Sequence, residues 1–246
     1  MLRAYGSGSI FGEPSGVEPF SVLLLHGWGH DHRDFAPLLQ LEAPNCGVLA
    51  VDLPGFGASP APEIAYGSDG YARTLAPLLE EMSDRFVIVG HSFGGRVALQ
   101  MAAIYPERIV GLVLAGVPLL RSVKGTRVSG RYRMLRRLAR LHLLSDQRLE
   151  RARSRYGSSD YRNADGIMRE VLVKTINEDY RDLISGVPVP VEMVWGEFDS
   201  AQPLALAREA ASLFPKANLT VIEGGGHMSP LERPEELYAA LGRVRP

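Results

Sequence analysis

Residues 90–94 read Gly90-His91-Ser92-Phe93-Gly94, a G-x-S-x-G pentapeptide set between two differently patterned segments. Ahead of it, Arg85-Phe86-Val87-Ile88-Val89 is short, β-branched and bounded by charge, the pattern of a buried strand. Behind it, Val97, Ala98, Met101 and Ala102 recur at the spacing of one helix face between Gly95 and Tyr105. Strand, glycine-flanked serine and helix together describe a sharp turn, with glycine on both sides because larger neighbours would clash as the chain reverses. Such a turn aims Ser92 away from the sheet and leaves the N–H of Phe93 unpaired at a helix start, free to face a developing oxyanion. A plain glycine-rich turn with an incidental serine would give the same pentapeptide, so the rest of the chain has to supply the serine's partners.

Serine is a weak nucleophile until a base takes its proton, and that base needs an acid to orient it and to stabilise its charge. Downstream, Val191-Glu192-Met193-Val194-Trp195-Gly196 reads as a buried strand, with Asp199 in the loop after it. Leu219-Thr220-Val221-Ile222 is the next strand, and Glu223-Gly224-Gly225-Gly226-His227 follows as a flexible loop presenting one histidine. Upstream, Ser21-Val22-Leu23-Leu24-Leu25 runs into His26-Gly27-Trp28-Gly29, a glycine-rich bend able to turn the N–H of Trp28 towards the same point as that of Phe93. The expected catalytic set is therefore Ser92, Asp199 and His227, with Trp28 and Phe93 as oxyanion donors and as apolar pocket wall. No cofactor or metal is needed for these roles.

Alternating strand and helix patterns imply an α/β fold of parallel βαβ units. Strands are expected at 21–25, 47–51, 86–89, 110–114, 191–195 and 218–222, and helices near 34–41, 70–83, 94–105, 201–213 and 234–242. The first 20 residues have room for at most one short antiparallel strand pair. Between Pro118 and Pro188 no buried strand is read.

Taken together, these motifs resemble the α/β-hydrolase family in the arrangement with a compact core and one helical cap. His26-Gly27-Trp28-Gly29 is similar to its oxyanion loop, and Val51-Asp52-Leu53-Pro54-Gly55-Phe56-Gly57-Ala58-Ser59 to its D-x-P-G-x-G-x-S loop. Gly90 to Gly95 is similar to the elbow, Trp195 to Asp199 to the acid loop, and Gly226-His227 with Pro230-Leu231-Glu232 to the histidine loop. The resemblance implies a mostly parallel sheet with helices on both faces. It divides the chain into a core of residues 1–118 and 188–246 and a helical cap of 119–187, inserted after the fourth strand named above. It also implies a serine hydrolase acting on a carboxylic ester or thioester, since the dehalogenase and epoxide-hydrolase branches use aspartate as nucleophile. Carbon–carbon bond hydrolases and other activities that keep the same three residues stay open, as does a non-catalytic binder on the same fold. The oxyanion and D-x-P-G loops further resemble the carrier-protein methyl ester esterases of biotin synthesis, whose elbow reads Gly-Trp-Ser-Leu-Gly where this chain has Gly-His-Ser-Phe-Gly.

Other polar residues read as structural. His30-Asp31-His32 with Asp34 could suggest a metal, but loop polarity at a pocket mouth is the simpler reading. His91 is read as packing, and Asp52 as holding the D-x-P-G turn. Glu223 is the alternative acid. Cys46 is the single cysteine of 246 residues, which excludes an internal disulfide and fits a cytoplasmic protein. The first nine residues lack the apolar stretch of a secretory signal, and no segment approaches the roughly 18 apolar residues of a membrane span.

The net charge of −1 hides two opposite halves. Arg121 to Arg155 carries 12 basic residues (11 of them Arg) against Asp146 and Glu150, a net of +10, so the remainder carries a net of −11. As a helix, 131–144 would place Arg133, Arg136, Arg137 and Arg140 opposite Met134, Leu135, Leu138 and Leu141. A solvated face is the plain explanation. The sharper expectation is something anionic: an acidic carrier protein, a polyanionic substrate or an anionic membrane surface. The resemblance to the carrier-protein methyl ester esterases implies an acidic acyl carrier protein among these, beside a small-molecule acyl ester as substrate. Nucleic acid and a membrane span are not expected.

Overall fold

The computed structural model describes residues 1–41, 47–121 and 159–245. Eight strands form one sheet: β1 (Arg3–Tyr5), β2 (Ile10–Ser15), β3 (Phe20–Leu25), β4 (Val48–Asp52), β5 (Met82–His91), β6 (Ile109–Ala115), β7 (Val191–Gly196) and β8 (Ala217–Ile222). Their spatial order is β1-β2-β4-β3-β5-β6-β7-β8. From β4 across to β8 neighbours run parallel, while β1 pairs β2 and β2 pairs β4 antiparallel. All six expected strands are present, and the first 15 residues supply the one antiparallel pair for which the sequence had room.

The nine α-helices among the described residues are α1 (Ala36–Leu41), α2 (Ser68–Thr74), α3 (Phe93–Ile104), α4 (Ser159–Asn163), α5 (Gly166–Thr175), α6 (Arg181–Ile184), α7 (Leu204–Leu213), α8 (Ser229–Glu232) and α9 (Pro234–Val244). None is long and apolar enough to cross a membrane.

The strands are apolar on both faces because both faces are covered. On one side, Leu23, Leu25, Ile88, Leu112, Leu114 and Met193 pack with Tyr71 of α2, Val97 and Met101 of α3, and Ala207 of α7. On the other, Val22, Leu24, Val87, Val89, Val113 and Val194 pack with Leu38 of α1 and with Leu237, Ala240 and Leu241 of α9. Alternation along β3 (Val22 and Leu24 one way, Leu23 and Leu25 the other) assigns successive residues to opposite cores.

Two helix expectations are corrected. The helix expected at 70–83 ends at Thr74, and Ala76–Glu80 is a 3-10 helix. Pro77 has no N–H and disfavours the α conformation in the residue before it, so the α-helix cannot continue through it. The next segment then enters β5 at Met82, earlier than the expected 86, because Met82 pairs with Phe20 at the start of β3. The helix expected from 201 begins at Leu204. The N–H groups of Ala201 and Gln202 are held by Asp199, and Pro203 stands immediately before the first turn.

Between β6 and β7 the described chain contributes α4, α5 and α6 and no strand. The segment 131–144 with its arginines, and Cys46, lie outside the described residues.

Candidate active site

The site is built at the C-terminal ends of β3, β5, β7 and β8, where an open α/β sheet presents its loops. Ser92 joins β5 to α3 with φ 47° and ψ −110°, and it is the one non-glycine residue with positive φ among those described. Its N–H donates to the Ala115 carbonyl on β6 at 2.8 Å, and its own carbonyl accepts from Gly95 N at 3.2 Å. A side chain at Gly94 would place Cβ 2.1 Å from the Leu25 carbonyl oxygen, and one at Gly90 would place it 2.4 Å from Gly95 Cα. These approaches explain the glycines on either side of the serine. The strain of the turn is held by β3 and β6 on its flanks.

Phe93 opens α3, so its N–H has no acceptor within the helix. Trp28 lies past the end of β3, and neither backbone N–H donates to an acceptor among the described residues. The loop carrying Trp28 is pinned by His26, whose Nδ1 bonds the Gly27 carbonyl at 2.7 Å and whose Nε2 accepts from Leu53 N at 2.9 Å. That pair of contacts fixes a neutral imidazole with the proton on Nδ1, and burial lowers the pKa of the ring accordingly. The Trp28 ring packs edge-on against Phe56 and Phe93 at 4.9 and 5.3 Å between centroids, and Phe93 packs likewise on Tyr71 at 4.9 Å.

Asp199 and His227 meet across two loops that are themselves tied together. Glu197 N donates to the Ile222 carbonyl and Phe198 N to the Gly225 carbonyl, each at 2.9 Å. Asp199 Oδ2 lies 2.7 Å from His227 Nδ1. Its Oδ1 accepts from Ala201 N at 2.9 Å and Gln202 N at 2.7 Å, and the residue is 4% exposed. A carboxylate with both oxygens satisfied in this way holds the imidazole with its proton on Nδ1, leaving Nε2 able to accept one. Glu223, the other acid weighed from the sequence, has no hydrogen bond to His227. Ser92, Phe93, Trp28 and His227 line one cavity of about 470 Å³, closed on another side by Leu172 and Thr175 of α5.

Two residues that escaped the sequence reading, Gly116 and Arg96, and one read there only as packing, His91, also shape the site. Gly116, at φ 57°, passes so close that a Cβ would stand 3.0 Å from His227 Nδ1 and 3.3 Å from Asp199 Oδ2. His91 is more than packing: its Nε2 donates to the His227 carbonyl at 2.9 Å. Arg96 lines the cavity one turn along α3. Its sequence signal was a single charge within an otherwise uncharged helix.

Asp52 holds its turn as expected, accepting from His32 N and Nδ1 at 2.8 and 2.7 Å and from Ala58 N at 2.8 Å. His30 faces the cavity, and its hydrogen bond to Asp34 raises its pKa. The potential ligand group among the described residues is Asp31, His32 and Asp52, rather than His30 with His32. Asp31 is engaged by Arg33 and Asp52 by backbone N–H groups. Arg133, Arg136, Arg137 and Arg140 lie outside the described residues.

Comparisons with known proteins extend this picture. A family model described as the alpha/beta hydrolase family matches residues 22–241. A pimeloyl-[acyl-carrier protein] methyl ester esterase of Aromatoleum aromaticum is 29% identical over 91% of this chain and 97% of that protein. The esterase of the same description from Neisseria meningitidis (serogroup C) is 27% identical over 90% and 91%. Among solved structures, a thermophilic esterase from Thermogutta terrifontis superposes with a TM-score of 0.70 at 23% identity, covering 99% of this chain and 96% of that one. The matched span takes in every strand-end loop described above, and the chain belongs to the alpha/beta hydrolase family.

Proposed function

We propose that this esterase-like α/β hydrolase cleaves a carboxylic ester or thioester through an acyl-enzyme on Ser92. The observation that carries the reading is the Asp199–His227 pair, 2.7 Å apart, at a cavity whose wall also holds Ser92 on its strained turn. His227 takes the proton of Ser92 as Oγ attacks the carbonyl carbon. Asp199 keeps the imidazole in the accepting tautomer and stabilises the imidazolium that forms. The Trp28 and Phe93 N–H groups receive the tetrahedral oxyanion, each donor worth about 3–4 kcal/mol in sites of this kind. His227 then returns its proton to the leaving alkoxide or thiolate. Water, deprotonated by the same histidine, attacks the acyl carbon; the acyl–Oγ bond breaks, His227 gives the proton back to Ser92, and the acid is released. Every step is served by side chains and backbone amides, so no cofactor or metal takes part.

For the substrate, the relatives named as pimeloyl-[acyl-carrier protein] methyl ester esterases favour a carrier-bound acyl ester. The net of +10 over Arg121 to Arg155 suits an acidic carrier. On this reading, residues 119–187 form the helical cap that closes the cavity and receives that partner, and the protein works in the cytoplasm. The test is a series of chromogenic esters from acetate upward, followed by a carrier-bound methyl ester. Ser92-dependent turnover of the series supports ester hydrolysis. Absence of turnover on every member argues for a binding role instead.

A further inference from the structure

Arg96 has no part in the chemistry above. It sits on α3 four residues after Ser92, about 6 Å along the helix axis, and is 8% exposed. Its Nε donates to the Pro118 carbonyl at 2.8 Å and its Nη1 to the Thr175 carbonyl at 2.5 Å, while the guanidinium lies 5.6 Å from the centre of the Tyr180 ring. These contacts fix the plane of the fork. No carboxylate among the described residues forms an ion pair with it. Glu178, behind Tyr180, is already engaged by Ser68 N and by the Tyr180 hydroxyl.

A buried cation held only by neutral carbonyls and a ring face is under-compensated. Of its five N–H groups two are used towards those carbonyls, and the remainder include both on Nη2. The same residue forms part of the cavity wall with Ser92, Phe93 and His227. Arg121 also borders that cavity, and Asp160 is the one acid among the described residues that line it. Asp160 also borders a second cavity of about 350 Å³ beside Trp28, Phe56 and Met168.

We propose that Arg96 is a specificity-determining residue that binds a carboxylate on the acyl group, so that esters of dicarboxylic acids with one free carboxylate are preferred. Ser92 and Arg96 stand about one helical turn apart on the wall of the same cavity, so one acyl chain can reach both. A planar guanidinium is the group best able to receive a carboxylate through two parallel hydrogen bonds. This inference rests on the ester hydrolysis proposed for Ser92 and not on the carrier-bound methyl ester, whose second carboxyl is taken up in the link to the carrier.

The test compares monomethyl adipate with methyl hexanoate, which differ by a carboxylate in place of a terminal methyl, by continuous titration of the acid released. The wild-type protein should favour monomethyl adipate in kcat/KM by about tenfold or more, the usual scale of a charge-assisted hydrogen bond in a water-poor site. Arg96→Gln should abolish that ratio, and Arg96→Lys should keep part of it. The ratio is the readout, since loss of the Pro118 and Thr175 contacts lowers both rates together. Binding of adipate and of hexanoate to wild-type protein, measured by calorimetry, needs no variant and should favour adipate. A wild-type ratio near one or below, or a ratio unchanged in Arg96→Gln, overturns the proposal while Ser92-dependent turnover still upholds ester hydrolysis. Preferential adipate binding without turnover of either ester would uphold the anion site and reject the hydrolytic reading.

Discussion

The imidazole of His91 donates through Nε2 to the carbonyl oxygen of His227, 2.9 Å away, so the residue beside the serine steadies the loop that carries the histidine. His91 is 1% exposed, and its Nδ1 has no hydrogen-bond partner among the described residues. Burial, reinforced by the nearby His227, lowers its pKa to about 4.

Acid stability follows from this. Unfolded His91 protonates near pH 6.5 and folded His91 near 4, so between those values the unfolded chain binds more protons. The stability associated with neutral His91 is complete above about pH 6.5 and is lost as the pH falls towards 4, at up to about 1.4 kcal/mol per pH unit. His26, also lowered by burial, adds a slope of the same sign. Urea midpoints measured from pH 7.5 to 4 should decline less steeply in His91→Gln, which keeps a donor and removes the titration. Equal slopes would show that His91 is not the group responsible.

The two acids of the site region should separate sharply. Asp199→Asn places the imidazole in the wrong tautomer and should lower kcat by about 10⁴. Glu223→Gln, with no bond to His227, should change kcat by less than about twofold, as for substitutions of exposed groups outside the site. Steady-state rates on one chromogenic ester decide, and a reversal of the two outcomes would assign the role to Glu223.

Gly116→Ala should harm turnover more than folding. A positive φ makes alanine cost about 1 kcal/mol, whereas its Cβ would crowd the Asp199–His227 contact directly. A displacement near 1 Å at a reacting group costs about 100-fold in rate. Paired measurements of kcat and of thermal midpoint should therefore show a large loss in the first and a small one in the second. A variant equally impaired in both would place Gly116 in the framework alone.

The arginine-rich segment gives a salt-sensitive prediction. Arg133, Arg136, Arg137 and Arg140 changed together to Gln should leave small neutral esters turned over as before. The same variant should lose kcat/KM, and its dependence on ionic strength, for an ester carried by an acidic partner protein. If both substrates respond alike, or if wild-type kcat/KM on the carried ester is flat from low to high salt, those arginines form a solvated face.

The strand-end loops were legible because each carries its own local chemistry. Gly90 and Gly94 are demanded by backbone approaches of 2.4 and 2.1 Å, and such approaches leave glycine in the sequence. Parallel strands buried on both faces leave continuous apolar runs, as in Val22 to Leu25 and Val191 to Trp195. What escaped depended on long-range proximity. Gly116 closes on a histidine 111 positions later, and Arg96 gains its meaning from carbonyls at Pro118 and Thr175. Helix boundaries slipped where a competing bond won, as at Ala201 and Gln202, whose N–H groups serve Asp199.

The central claim is that Ser92 is the nucleophile, and covalent capture tests it most directly. Wild-type protein treated with a fluorophosphonate should gain one adduct by mass spectrometry, located on the peptide containing Ser92. Ser92→Ala should gain none and should lose turnover by about a million-fold, as removal of a triad serine does. Undiminished labelling of Ser92→Ala, or an adduct mapped to another residue in the wild type, would contradict the account.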